Sequence, residues 1–253
     1  MEILKVKNIF SGYGKYDIIR NVSFEVLESE FVGIIGPNAV GKSTLLKTLA
    51  RIVKLRSGEI IIDNKEIRKY NYKEFAKIVG FASTITDYSL NFKVKDFIFL
   101  ARYPWDFSDI NYEELYEEFE LRPILNKPLK DLSSGELQRV LIAQVIAQTP
   151  KIYILDEPVS HLDIGHQISI LDKLKKINLD KKVTILASFH ELNLAIEYCD
   201  KLILLFNGEI KKIGSAEEVI DYRILEEVYN TKVVVKTNPI SNKPYVIAVP
   251  MMW

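Results

Sequence analysis

Nine residues constrain this chain more than any others: Gly36-Pro37-Asn38-Ala39-Val40-Gly41-Lys42-Ser43-Thr44, set between the apolar run Phe31 to Ile35 and the helical Leu-Leu-Lys-Thr-Leu-Ala-Arg-Ile. A strand, then Gly-x-x-x-x-Gly-Lys-Ser/Thr, then a helix is the pattern of a phosphate-binding P-loop. Gly36 and Gly41 let the backbone turn tightly and bring its N–H groups against phosphate oxygens, and the helix starting near Lys42 adds the positive end of its dipole. Lys42 reaches the outer phosphates and the Ser43 hydroxyl suits Mg²⁺. Gly36, Pro37, Asn38, Ala39, Gly41, Lys42, Ser43 and Thr44 are therefore the expected phosphate contacts. The plain structural alternative is a glycine-containing turn with an exposed lysine.

A second apolar strand, Ile152 to Leu155, ends in Asp156-Glu157-Pro158. Beside a P-loop, a carboxylate at the end of a buried strand holds Mg²⁺ through water, and its neighbour orients or deprotonates an attacking water. This divides the labour between Asp156 for the metal and Glu157 for the water.

Around these motifs, short Val- and Ile-rich runs alternate with helical stretches, which predicts an α/β fold with a mixed, mainly parallel sheet covered by helices on both faces. The clearest strands are Phe31 to Ile35, Lys151 to Leu155, Val183 to Ser188 and Lys201 to Phe206. Asn207-Gly208 and then Glu209 to Ile213 predict a closing antiparallel hairpin. Alternation at Leu4 and Val6, and a strand Glu59 to Asp63 introduced by Ser57-Gly58, predict an N-terminal antiparallel β layer. Tyr112, Leu115, Tyr116 and Phe119 mark one helix face while Glu113, Glu114, Glu117 and Glu118 occupy the other, so a helical insertion is expected, its acidic side either solvated or a partner surface.

The chain has 253 residues with 34 Lys plus Arg against 34 Asp plus Glu. This balance predicts no nucleic-acid partner, because coating DNA rests on a surplus of cations. Hydrophobic content of 48% and charged content of 27% are those of a globular protein. Cys199 stands alone, which excludes an internal disulfide and a multi-cysteine metal site. Apolar runs are too short for a membrane span and the N-terminus lacks a signal core, so a soluble chain made in the cytosol is expected.

Between the two phosphate-site motifs stands Leu132-Ser133-Ser134-Gly135-Glu136, and here the sequence resembles the ATP-binding subunits of ABC transporters, over nearly its whole length. The resemblance implies a P-loop NTPase core, ATP and Mg²⁺ as cofactors, and hydrolysis by Glu157, His190 and Lys42. In that family the signature binds the ATP held by a second copy, so Ser133 and Gly135 would serve the partner's nucleotide. Ser160-His161-Leu162-Asp163 resembles the loop that crosses the dimer interface, which brings Asp163 to the nucleotide. His190 resembles the histidine that senses the γ-phosphate, and Tyr13 the aromatic that stacks on adenine. The implied organisation is one ATPase domain over 1–253, with 1–30 and 57–83 as the antiparallel layer, 31–56 and 150–215 as the P-loop core, 85–149 as the helical part and 216–253 as a C-terminal extension.

Two positions depart from the family pattern. Thr84 stands where a glutamine reaches Mg²⁺, and Ser134 replaces the first signature glycine. Within the family, Asn91 to Trp105 and Phe189 to Ile210 resemble importers of metal chelates such as iron-siderophore, haem and cobalamin. This implies a head-to-tail homodimer on the cytoplasmic side of the membrane, held by a separate permease and served indirectly by an extracellular or periplasmic binding protein. Phe92, Phe97, Phe99, Tyr103 and Trp105 are candidates for the permease groove, at least half of them being better suited to the core. The alternatives are a soluble ABC ATPase of a cytosolic complex such as Fe–S assembly and a degenerate nucleotide-binding regulator.

Overall fold

The computed structural model describes residues 1–83, 91–108 and 110–250. Its centre is a six-stranded sheet in the order β10-β9-β3-β8-β7-β6, with β3 (Phe31–Ile35), β6 (Val79–Ser83), β7 (Ile152–Asp156), β8 (Thr184–Ser188) and β9 (Lys201–Phe206) parallel and β10 (Glu209–Gly214) antiparallel at one edge. β3, β7 and β8 are buried at every residue, as strands covered on both faces must be.

Alternation along the strands sorts the side chains into two cores. Val32, Ile34, Ile152, Ile154 and Leu186 face one cluster, and Phe31, Ile35, Tyr153, Leu155 and Ile185 face the other. The first lies beneath a second sheet, order β2-β1-β4-β5, built from β1 (Glu2–Tyr13), β2 (Tyr16–Leu27), β4 (Leu55–Ile62) and β5 (Lys65–Glu66). Helix α1 (Lys42–Leu49) is sandwiched there, with Leu45, Leu46 and Leu49 buried. On the other face pack α3 (Val94–Leu100), α4 (Tyr112–Glu118), α5 (Ser134–Gln148), α6 (Ile164–Lys181), α7 (Leu192–Tyr198) and α9 (Tyr222–Tyr229). α2 (Tyr72–Ala76) precedes β6, α8 (Ala216–Val219) follows β10, and a hairpin of β11 (Val233–Thr237) and β12 (Pro244–Ala248) closes the described chain.

The α4 face is as expected, with Leu115 and Phe119 buried and Glu113, Glu114 and Glu117 exposed. Two boundaries and the helix coverage of the sheet are corrected. Residues 79–83 belong to the parallel sheet rather than the antiparallel layer, because Val79 to Ser83 pair in register with Ile152 to Asp156. The layer's later part begins at Leu55, and Ser57-Gly58 lies inside β4, opposite a register shift between Lys7 and Phe10 of β1, instead of turning the chain into a strand. Helices cover only one face of the parallel sheet fully, since the antiparallel layer shares the other with α1. The two sheets are also tied at the β9-β10 turn, where the Arg20 amide donates to Gly208 O at 2.8 Å and the Arg20 guanidinium to Asn207 O at 2.5 Å.

Candidate active site

The phosphate loop, Asp156, Glu157 and His190 stand at the ends of strands of the parallel sheet or just beyond them, and Tyr13 and Ile18 reach the site from β1 and β2. β3 stops at Ile35, and Gly36 takes φ of 144°, where a Cβ would lie 2.3 Å from Leu205 O of the neighbouring strand. No side chain fits between β3 and β9 at this point, so the loop lies flat on the sheet edge. Gly41 caps α1 without a side-chain bond, leaving the first N–H groups of the helix facing a cleft of about 370 Å³. Residues 38–44 line that cleft with Tyr13, Ile18, Glu157 and His190. Ala39, a non-glycine at φ 60°, holds the left-handed turn of the loop.

The Lys42 ammonium is buried and donates to Gly36 O at 2.7 Å and Pro37 O at 3.0 Å. Burial pushes it below the usual lysine value, and the carboxylates of Glu157 and Asp156 oppose that shift. Asp156, at the end of β7, is buried, and its Oδ1 accepts from the Ser43 hydroxyl at 3.0 Å and the Ser188 hydroxyl at 2.7 Å. Ser188 also accepts the Glu157 N–H at 2.8 Å. Glu157 has φ of 55°, which turns the chain sharply, and its Oε1 lies 2.5 Å from His190 Nε2.

Sequence reasoning missed Ser188. Its signal was a polar residue ending an otherwise apolar strand two places before His190. Ile18, the apolar wall of the cleft, carried no signal.

Ser43 and Asp156 offer two hard oxygens side by side. This suits Mg²⁺, which keeps one or two protein ligands and takes the rest from phosphate and water. Among the described residues no group of three or more His, Cys, Asp or Glu gathers as an all-protein metal cage. Thr84, the other expected metal ligand, lies outside the described residues. The preceding Ser83 is paired with Asp156, so β6 ends beside the carboxylate.

Ser133, Gly135 and Asp163 do not line the cleft of their own chain. Ser133 caps α5 in a reciprocal box, its hydroxyl accepting from Glu136 N at 3.2 Å and its N–H donating to the Glu136 carboxylate at 2.9 Å. Asp163 caps α6 through His166 N at 3.0 Å, and its other oxygen lies 2.7 Å from His166 Nδ1. These bonds, the backbone one first, hold the Asp163 carboxyl below the usual carboxylate range. A Cβ on Gly135 would stand 3.4 Å from Leu162, so the start of α5 adjoins the loop before α6.

The chain belongs to the ABC transporter family, whose profile matches residues 19–160. It is an ATP-binding domain of that class and an ATPase. Over 252 residues it is 32% identical to the ferric enterobactin transport ATP-binding protein FepC of Escherichia coli, covering 96% of this chain and 93% of that one. Over 243 residues it is 34% identical to the petrobactin import ATP-binding protein YclP of Bacillus subtilis, covering 93% of this chain and 96% of that one. It spans 58% of the length of YvrA, an uncharacterised ABC transporter ATP-binding protein of Bacillus subtilis that is 32% identical over 256 residues, or 98% of this chain. Among solved structures, an inward-facing ABC transporter assigned to the metal-chelate type has the same fold, with a TM-score of 0.81 at 21% identity over 99% of this chain and 98% of that one. The ATP-binding cassette MJ0796, solved as a dimer in a post-hydrolysis state bound to ADP and Pi, gives a TM-score of 0.74 at 26% identity over 84% of this chain and 98% of that one.

Proposed function

We propose that this chain is the ATP-hydrolysing subunit of an importer for a metal chelate of the iron-siderophore, haem or cobalamin kind. The observation that carries the chemistry is the Glu157–His190 pair at 2.5 Å, set beside Lys42 at the lip of the phosphate loop. Glu157 takes a proton from water as the water oxygen attacks the γ-phosphorus and the bond to the β-phosphate oxygen breaks, leaving ADP and phosphate. His190 fixes the Glu157 carboxylate on the cleft side. Lys42 exchanges its loop carbonyls for the outer phosphates and counters their charge. Tyr13, 53% exposed on the cleft wall, offers a face for adenine. Ser43 and Asp156 would hold Mg²⁺, with Thr84 as the third ligand expected from the sequence, and the ion would add charge neutralisation on the phosphates.

The placement of Ser133, Gly135 and Asp163 away from the chain's own cleft supports a head-to-tail homodimer in which each copy completes the other's site. Among the described residues no helix is long and apolar enough to cross a membrane. The pathway through the membrane is accordingly assigned to a separate permease, with the subunit on the cytoplasmic face and a binding protein on the far side. A groove of about 450 Å³ between α2, β6 and α5 suits a permease segment, with Tyr72, Lys73, Phe75, Phe81 and Tyr103 in its walls. Of the five aromatics expected there, Tyr103 lines the groove. Phe97 packs on the core, Phe99 stacks on Phe107 at 5.1 Å, and the Trp105 indole donates to Gln148 O at 2.7 Å. The chelate class rests on the ferric enterobactin and petrobactin relatives.

Solubilised membranes test this reading. The tagged chain should co-purify with a polytopic protein, and proteoliposomes holding both should take up a ferric siderophore only with ATP. Co-purification with a soluble assembly alone, and no ATP-driven uptake, would reject the importer.

A further inference from the structure

Gln167 lies in the first turn of α6, four residues beyond the helix cap Asp163, and is 7% exposed. Its carboxamide nitrogen donates to Val159 O at 3.3 Å and to Glu191 Oε1 at 2.7 Å. Val159 follows Glu157 by two residues, and Glu191 follows His190. Glu191 also begins α7, yet its carboxylate makes no bond to that helix's own N–H groups. It is turned instead toward α6. A ring of contacts closes: Glu157 to His190 at 2.5 Å, along the chain to Glu191, across to Gln167, to Val159 O, and back along the chain to Glu157. Glu157, Val159, Ser188, His190 and Glu191 are among the residues lining a cavity of about 20 Å³ on the side of that ring away from Gln167, room for about one water.

We infer that Gln167 is a positioning residue for ATP hydrolysis, setting His190 against Glu157 by tying the loops on either side of that pair to the start of α6. Two residues of α6 and its cap divide the work. Asp163 and His166 secure the crossing loop to the helix, and Gln167 secures the helix to both catalytic loops. Movement of residues 160–163 thereby reaches His190 through two side-chain bonds. The inference rests on the assignment of Glu157 and His190 to hydrolysis and adds to it the group that places them.

The test is a double-mutant cycle in the full chain with Gln167→Leu, Glu191→Leu and both together, read as kcat, ATP Kd and melting temperature, with Glu157→Gln as the control. Each single substitution should lower kcat by about tenfold or more, up to about 10²-fold for a misplacement on the order of 1 Å, while ATP Kd stays within about twofold because neither residue lines the nucleotide cleft. The double variant should fall no further than the worse single one. If Gln167→Leu does not fold, the exchanged pair Gln167→Glu with Glu191→Gln decides. It restores the cross-link to position 191 but not the bond to Val159 O, which a carboxylate cannot donate, so kcat should recover in part relative to Gln167→Glu alone, which sets two carboxylates together. Additive losses, parent-like kcat in Gln167→Leu, or no recovery in the exchanged pair overturn the inference. A Glu157→Gln control that keeps full turnover overturns the underlying assignment instead.

Discussion

Lys42 is an ammonium held in low dielectric by two carbonyls, and its environment sets how the site responds to pH. Burial, which outweighs the pull of Glu157 and Asp156, holds its pKa below the usual lysine value. Only the protonated form counters phosphate charge. ATP affinity should therefore be full at neutral pH and decline as pH rises through the lowered pKa, earlier than with an ordinary lysine. The sign for stability is opposite: where the unfolded chain keeps the proton that the folded chain has released, the fold gains stability as pH rises. Calorimetric titration of ATP from neutral to alkaline pH checks the first, and an affinity flat up to the ordinary lysine range would contradict it. Lys42→Ala removes a charge-assisted contact worth about 1.5–3 kcal/mol, so ATP binding should weaken on the order of 10- to 150-fold. Glu157→Gln should keep ATP affinity, slow hydrolysis about 10²- to 10⁴-fold, and elute as an ATP-bound dimer in size exclusion. Unchanged turnover would move the proton acceptor elsewhere. The residues of this centre were legible because phosphate chemistry fixes both their types and their spacing. Ser188 was not, since its role depends on which strand lies beside β7, and spacing within a strand does not carry that.

Helix α5 shows how an element's end can matter more than its sequence pattern. It terminates at Thr149, a β-branched residue at φ 50°, a conformation such side chains avoid. Arg102, buried at 5% exposure, donates to Ala147 O at 3.0 Å, to the Thr149 hydroxyl at 2.9 Å, and to Ser108 O and Oγ at 3.0 and 2.7 Å. A guanidinium at a helix C-terminus meets the negative end of the dipole while it satisfies orphan carbonyls. Arg102→Leu should cost about 2–4 kcal/mol, since it strips several partners at once in a buried site. The urea midpoint measures this, and a loss below about 0.5 kcal/mol would mean water replaces the guanidinium. Periodicity disclosed α4, where one face is apolar and the other charged. The membership of β6 escaped it, because Val79 to Ser83 reads as a short apolar strand and its pairing partner lies more than sixty residues away in sequence.

At the scale of the molecule, the groove proposed for the permease lies apart from the cleft proposed for the chemistry. Tyr72 is 81% exposed there and Tyr103 61%, while Glu157 and His190 belong to a different cleft. Tyr72→Glu with Tyr103→Ala should leave the basal ATPase rate within about twofold and abolish its stimulation by permease, since a charge and a cavity replace an apolar wall. Equal stimulation of parent and variant in proteoliposomes would place docking elsewhere.

The join between the two sheets at Asn207-Gly208 bears on how the chain can be lengthened. Hairpin tips ordinarily accept inserted sequence. Here Gly208 is buried, a Cβ on it would stand 2.1 Å from Ile18 O, and its own carbonyl is taken by Arg20. Gly14, at the tip between β1 and β2, has nothing within 4 Å of a Cβ. Two turns that look alike on paper are thus unequal for grafting: the outer one has open space, with the Gly14 carbonyl held by Arg56 at 2.8 Å and Tyr13 facing the cleft as its constraints, whereas an insertion at the inner one would prise the antiparallel layer from the sheet that carries the phosphate loop.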